Sequence, residues 1–123
     1  FDVVLFAGVL YHLQDPMRAL RTIWDIMNEN SSLMVETTTI PDSRGYGDAL
    51  LAQFHALAEV NNDSTNFWNF SKSALKAVLQ ELNFVVDEFP RVTVEGEDSE
   101  RSVCYCKKPI DRRDRLEQWK NQL

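Results

Sequence analysis

The stretch FDVVLFAGVLYHLQDP, Phe1 to Pro16, decides how the rest of the chain reads. Val3 to Ala7 (VVLFA) is an unbroken apolar run with β-branched members, the pattern of a parallel strand covered on both faces. Gly8, Tyr11 and His12 follow in a short loop. Asp15 and Pro16 then read as a helix start, because aspartate accepts from free backbone N–H groups and proline fits the first helical position. A loop from a strand into such a helix lies at the carboxyl end of an α/β sheet, where ligands bind.

Beyond that loop, Met17, Leu20, Ile23, Trp24 and Met27 recur at helical spacing until Asn28 to Ser32 breaks the pattern. Leu33 to Ile40 (LMVETTTI) is rich in β-branched residues and predicts a second strand. Strand, helix and strand form a right-handed βαβ unit with parallel strands. Pro41 to Gly47 is a loop by composition, and Asp48 to Val60 reads as a helix with Leu50, Leu51, Phe54, Leu57 and Ala58 on one side. Asn61 to Phe70 (NNDSTNFWNF) reads as a loop. Ser71 caps a further helix with the stripe Leu75, Val78, Leu79 and Leu82, and Asn83 ends it by tolerating the left-handed conformation.

Phe84 to Phe89 predicts a third strand, with Arg91 to Val94 extending it past Pro90. An acidic turn from Gly96 to Glu100 leads into a fourth strand, Ser102 to Lys107, antiparallel to the third. Leu116, Trp119 and Leu123 predict an amphipathic helix in the tail. The expected class is therefore α/β: parallel strands, a terminal antiparallel strand and helices on both faces. Residues 1–107 form the domain and 108–123 a helical tail.

With 123 residues and 44% hydrophobic content, the chain suits one globular domain. It holds no run of about 18 apolar residues that would span a membrane. A net charge of −6 repels phosphate backbones and disfavours strong nucleic-acid binding. Lys107, Lys108, Arg112, Arg113 and Arg115 make the tail an exception, readable as a solvated helix start or as an RNA-binding patch. Cys104 and Cys106 point to one face of a strand, which suits two reduced, structural thiols and a cytoplasmic setting. No metal-ligand cluster is legible, since His12 and His55 lie far from both cysteines in sequence.

Three segments carry a resemblance when taken in order: FDVVLFAGVLYHLQDPMRAL, LMVETT and FWNFSKSALKAVLQELNFVVDEF. Together they resemble the carboxyl half of class I S-adenosylmethionine-dependent methyltransferases. The wording GVLYHLQDP with VET is especially similar to the branch that includes the tRNA wobble-uridine carboxymethyl-transferring enzymes. The likeness spans roughly Phe1 to Lys107. The family's glycine-rich cofactor loop has no counterpart, because Gly8, Gly45, Gly47 and Gly96 form no GxGxxG. The acidic residue after the family's second strand is also without a counterpart.

The resemblance implies that Ala7, Gly8 and Val9 line the methionine end of S-adenosylmethionine, largely with backbone atoms. Glycine at position 8 suits a close approach of backbone to a ligand. Tyr11 contacts substrate or cofactor. His12 is a general-base candidate near neutral pH, or else an imidazole bonded to backbone. Glu36, at a strand's carboxyl end, is the second catalytic candidate, its alternative a surface carboxylate or cap. Asn66, Trp68 and Asn69 are candidates for the acceptor pocket, with a core lid as the alternative; His55 reads as surface or core.

The function expected is methyl transfer to a small molecule or modified nucleotide, by a chain inactive alone and with weak or no cofactor binding. The alternative is a non-catalytic binding or assembly module of the same fold. A start at Phe1 suggests a fragment boundary, with the cofactor-binding half missing. Val3 to Ala7 would then be a bare hydrophobic edge, which invites the missing half or homodimerisation through the first strand.

Overall fold

The computed structural model describes residues 1–56, 65–97 and 99–109. The predicted tail helix, the basic residues Arg112, Arg113 and Arg115, and positions 57–64 of the expected helix and loop lie outside the described residues. The opening strand β1 is Val3–Ala7, helix α1 is Pro16–Ile26 and strand β2 is Ser32–Thr39. Strands β1 and β2 are parallel, with Val3 opposite Ser32 and Ala7 opposite Glu36. The helix begins as its sequence predicts: Asp15 accepts from the Arg18 amide at 3.0 Å, and Pro16 takes the first position.

Two short strands replace expected helix and loop. Strand β3 is Ala52–Phe54 and strand β4 is Trp68–Phe70. They pair antiparallel, and β4 joins β2 in parallel at Thr39 opposite Phe70. The apolar periodicity at Leu50, Leu51 and Phe54 suggested a helix, but long-range bonds override it. The His55 amide donates to the Phe67 carbonyl at 2.8 Å and the Ser71 amide to the Leu51 carbonyl at 2.8 Å, which holds this stretch extended.

Helix α2 is Lys72–Glu81, capped by Ser71, whose hydroxyl accepts from the Ala74 amide at 3.1 Å. Asn83 takes the left-handed conformation, φ 68°, as expected of a helix stop. The predicted third strand is only two residues long, β5 at Val85–Val86. Arg91–Val94 is a separate strand, β6. Asp87 and Glu88 form a bend, and Pro90, which has no amide hydrogen, separates the two. Strand β7, Glu100–Lys107, runs antiparallel to β2 along its whole length, and β5 and β6 both pair antiparallel with β7.

The core lies on one face of this mixed sheet. Leu20, Ile23 and Trp24 of α1 and Leu75 and Leu79 of α2 close over Leu33, Val35, Phe70, Cys104 and Cys106. Both described α-helices therefore cover the same face. On the opposite face Val3 and Leu5 are 64% and 71% exposed, and Tyr105, also exposed, stands across Met34 from Leu5. Among the described residues strand β1 pairs with β2 alone, so its other edge carries backbone groups with no strand beside them there.

Candidate functional site

Strand alternation sends Leu33, Val35 and Thr37 into the core and turns Met34 and Glu36 to the open face. The next residues beyond β1 make the tight exit. Gly8 has φ +69°, which a side chain would strain, and its amide donates to the Glu36 carbonyl at 2.9 Å. A Cβ at Gly8 would meet Arg101 Nη2 at 3.6 Å, ordinary contact, so backbone conformation rather than space requires glycine here. Ala7 and Val9 on either side are exposed. Leu10–His12 then form a single 3₁₀ turn anchored by buried Leu10.

Glu36 and Arg101 form a bidentate ion pair across β2 and β7: Arg101 Nε donates to Oε1 at 2.7 Å and Nη2 to Oε2 at 2.9 Å. Arg101 Nη1 reaches the Tyr11 hydroxyl at 3.4 Å, and the guanidinium lies 5.5 Å from the centre of the Tyr11 ring. The hydrogen bonds to Glu36 and then Tyr11 raise the Arg101 pKa above its already high value, so the cation is permanent. Glu36 thus holds a guanidinium in place, and a carboxylate so engaged is poorly placed to abstract a proton.

His12 stacks at a tilt on Tyr11, ring centres 4.1 Å apart. Its Nδ1 lies 2.8 Å from the Thr65 carbonyl oxygen. A carbonyl only accepts, so Nδ1 carries hydrogen and Nε2 is the basic nitrogen of the neutral ring. His12 is thus bonded to backbone through Nδ1, and this bond fixes its tautomer. The Phe67 amide donates to the Tyr11 carbonyl at 2.8 Å, tying the loop to the segment before β4.

The acceptor candidates separate. Trp68 faces the helix layer, donating from Nε1 to the Gln14 carbonyl at 3.1 Å and meeting Phe54 edge-on. With Met17, Phe70 and Val78 it lines an apolar groove of about 400 Å³ on that side, away from the ion pair. Asn69 alternates to the opposite face, and both Asn66 and Asn69 are buried, as is His55. The sequence reading brought together Gly8, Tyr11, His12 and Glu36 but missed Arg101, whose only linear signal is a basic residue opening the last strand. Cys104 and Cys106 are free buried thiols, and burial, with Asp87 nearby, pushes Cys104 up to about 11.

The comparisons with known proteins agree with this architecture. The model of a methyltransferase-domain family matches residues 1–88. A tRNA U34 carboxymethyltransferase of Desulfotalea psychrophila is 37% identical over 46 residues, which are 37% of this chain and 14% of that protein. An S-adenosylmethionine-dependent methyltransferase of Methanosarcina mazei superposes with a TM-score of 0.62 at 14% identity, over 90% of this chain and 60% of its own. The [4+2]-cyclase SpnF superposes with a TM-score of 0.63 at 14% identity, over 90% and 52%. The chain thus spans about half to two-thirds of these folds, and the aligned stretch is a small part of the carboxymethyltransferase. With the family model covering more than half its length, this chain belongs to that methyltransferase-domain family, and its fold agrees with the class I S-adenosylmethionine-dependent methyltransferase architecture.

Proposed function

We propose that this chain carries the acceptor-side half of an S-adenosylmethionine-dependent methyl transfer to a small molecule or modified nucleotide. The observation that carries this reading is the cluster of Gly8, Tyr11, His12, Glu36 and Arg101. It sits at the carboxyl ends of two adjacent parallel strands, on the uncovered face. The residues present fit one end of the cofactor: the positive φ of Gly8 keeps the backbone of Ala7 to Val9 approachable, and nothing in the sequence supplies the glycine-rich loop for its remainder. When bound, S-adenosylmethionine supplies a methyl group to displacement by an aligned nucleophile.

The chain's own residues then divide the work. His12, holding the Thr65 carbonyl through Nδ1–H, takes the acceptor's proton at Nε2. Glu36 positions Arg101, and Arg101 steadies the Tyr11 hydroxyl beside the exit of β1. The free edge of β1 and the open face with Val3 and Leu5 accept the cofactor half of the fold, from the same gene product or a partner polypeptide. The same bare edge favours the second reading, a binding module that pairs through β1 without catalysis.

Two measurements decide. Titration calorimetry of S-adenosylmethionine into this chain is expected to show no binding tighter than millimolar; micromolar binding overturns the half-site reading. The coding sequence ahead of Phe1 separates the alternatives. A strand followed by a glycine-rich turn supports the enzyme, and an immediate start codon supports the module.

A further inference from the structure

The apolar groove beside Trp68 continues along helix α2. A second lobe of about 270 Å³ shares Met17, Ala52, Phe70 and Val78 with the first and extends along Ala74, Ala77 and Glu81. Ala74, Ala77, Val78 and Glu81 follow the i, i+3, i+4, i+7 spacing of one helical face, so a whole side of α2 looks into the groove. Ala74 and Ala77 bring only methyl groups, which leaves room for larger side chains from elsewhere. The two lobes carry one acidic residue each, Asp15 in the first and Glu81 in the second, and no basic residue lines either among the described residues.

The chain itself arrives at one mouth of this groove. Helix α2 starts beside Phe70, opposite Thr39 at the carboxyl end of β2, and ends before Val85, which pairs with Lys107 at the other pole. Helix α1 runs the same way, from the exit of β1 to the start of β2. Glu81, the last residue of α2, therefore marks the groove's mouth at the amino pole. There Phe84 meets Trp24 edge-on, ring centres 5.0 Å apart, and Lys108 donates to the Trp24 carbonyl at 2.7 Å. Residues 110–123 continue from this point, and a helix over them would be about 21 Å long. The stretch of α2 from Ala74 to Glu81 rises about 10 Å, so that length reaches through the groove toward Asp15.

Read as the helix its spacing predicts, 110–123 has the complementary surface. At about 100° per residue, Leu116, Trp119 and Leu123 share one face. Arg112, Arg113, Arg115 and Lys120 fall within about 90° of its centre, and Asp111, Asp114 and Glu117 fall on the far side. An apolar stripe bordered by cations matches an apolar groove that holds only acidic charges. A helix of this length is marginal alone in water, so it needs a surface to pack on.

We propose that residues 110–123 dock as a helix into the groove between α1 and α2, antiparallel to both, with Leu116, Trp119 and Leu123 against Met17, Ala77 and Val78. The far end of the docked helix meets Gln14 and Asp15, which join the Tyr11–His12 turn to α1, and so braces the candidate site from the helix side.

The test is fluorine NMR of the full chain carrying fluorotryptophan, its Trp68 and Trp119 signals assigned by Trp68→Phe and Trp119→Phe. Docking is expected to abolish, at Trp119, the shift between light and heavy water that an exposed indole shows. Ala77→Arg, which fills the groove, and Glu81→Arg, which reverses the charge at its mouth on an exposed position, are expected to restore that shift. Leu5→Lys, on the open face, is expected to leave Trp119 shielded. The signal of buried Trp24 reports that each variant is folded. A full solvent shift at Trp119 in the parent chain would overturn the proposal. So would shielding that survives both arginine variants or disappears with Leu5→Lys. Shielding lost on dilution, as the mass falls from dimer to monomer, would give the groove to the tail of a second copy and overturn docking within one chain.

Discussion

The two faces of β2 differ more than any two segments of the chain. Leu33 and Val35 are sealed beneath two helices, while Met34 and Glu36, one residue away each, look onto a face with no helix over it among the described residues. The covered face holds the hydrophobic core, and the open face holds the ion pair, the tyrosine and the histidine. The hydrophobic core and the candidate site thus lie on opposite sides of one strand, and substitutions on the two sides should behave differently.

The sharpest contrast comes from the core. Leu79→Ala, at a fully buried position, is expected to cost about 2–5 kcal/mol in denaturant unfolding. A cost near zero would mean the helix layer is not the stabilising side. On the open face, Arg101→Ala leaves Glu36 half-buried without its partner, and a loss of about 1–2 kcal/mol is expected, discounted because Arg101 is partly exposed. Arg101→Lys should recover only part of it, because lysine cannot reproduce the two-pronged bond. The Asp15 cap lies between the two regions, and Asp15→Ala is expected to cost about 1 kcal/mol.

Leu5→Lys sharpens the comparison from the other side. Its stability cost should stay within about 0.5 kcal/mol, while light scattering should report less self-association than for the parent chain. A parent chain that is a clean monomer at high concentration removes the case for pairing through β1. The last effect concerns the thiols and is absent at neutral pH. Cys104, neutral in the fold up to about 11 against an ordinary 9.0, contributes stability in full below pH 9 and loses it as pH rises toward 11. At pH 8 both cysteines should resist a thiol reagent in the native chain and react fully in denaturant.

The elements that were legible in sequence are those fixed by local chemistry. Asp15 and Pro16 mark α1, Ser71 and Asn83 bracket α2, and the βαβ unit follows from the apolar runs on either side. Strands β3 and β4 were not legible, because three residues carry too little periodicity and their pairing depends on partners elsewhere in the chain. Arg101 escaped notice for the same reason: 65 residues separate it from Glu36, and only the antiparallel register of β7 on β2 brings them together. Asn69 was singled out beside Trp68, yet only the pleat of β4 shows that neighbours in sequence serve opposite faces.

Lys108 has a consequence for handling the molecule. It is buried, and its ammonium donates to the Trp24 and Met27 carbonyls at 2.7 and 2.8 Å while lying over the Trp24 ring. Its backbone joins Asn30 and Ser31, two residues from the Asn28 amide that bonds Phe1. Positions 1 and 108 are thereby stapled to the amino end of β2, the pole remote from Glu36. A fluorophore or surface tether attached beside either position would leave the opposite pole, which carries the candidate site, facing solution.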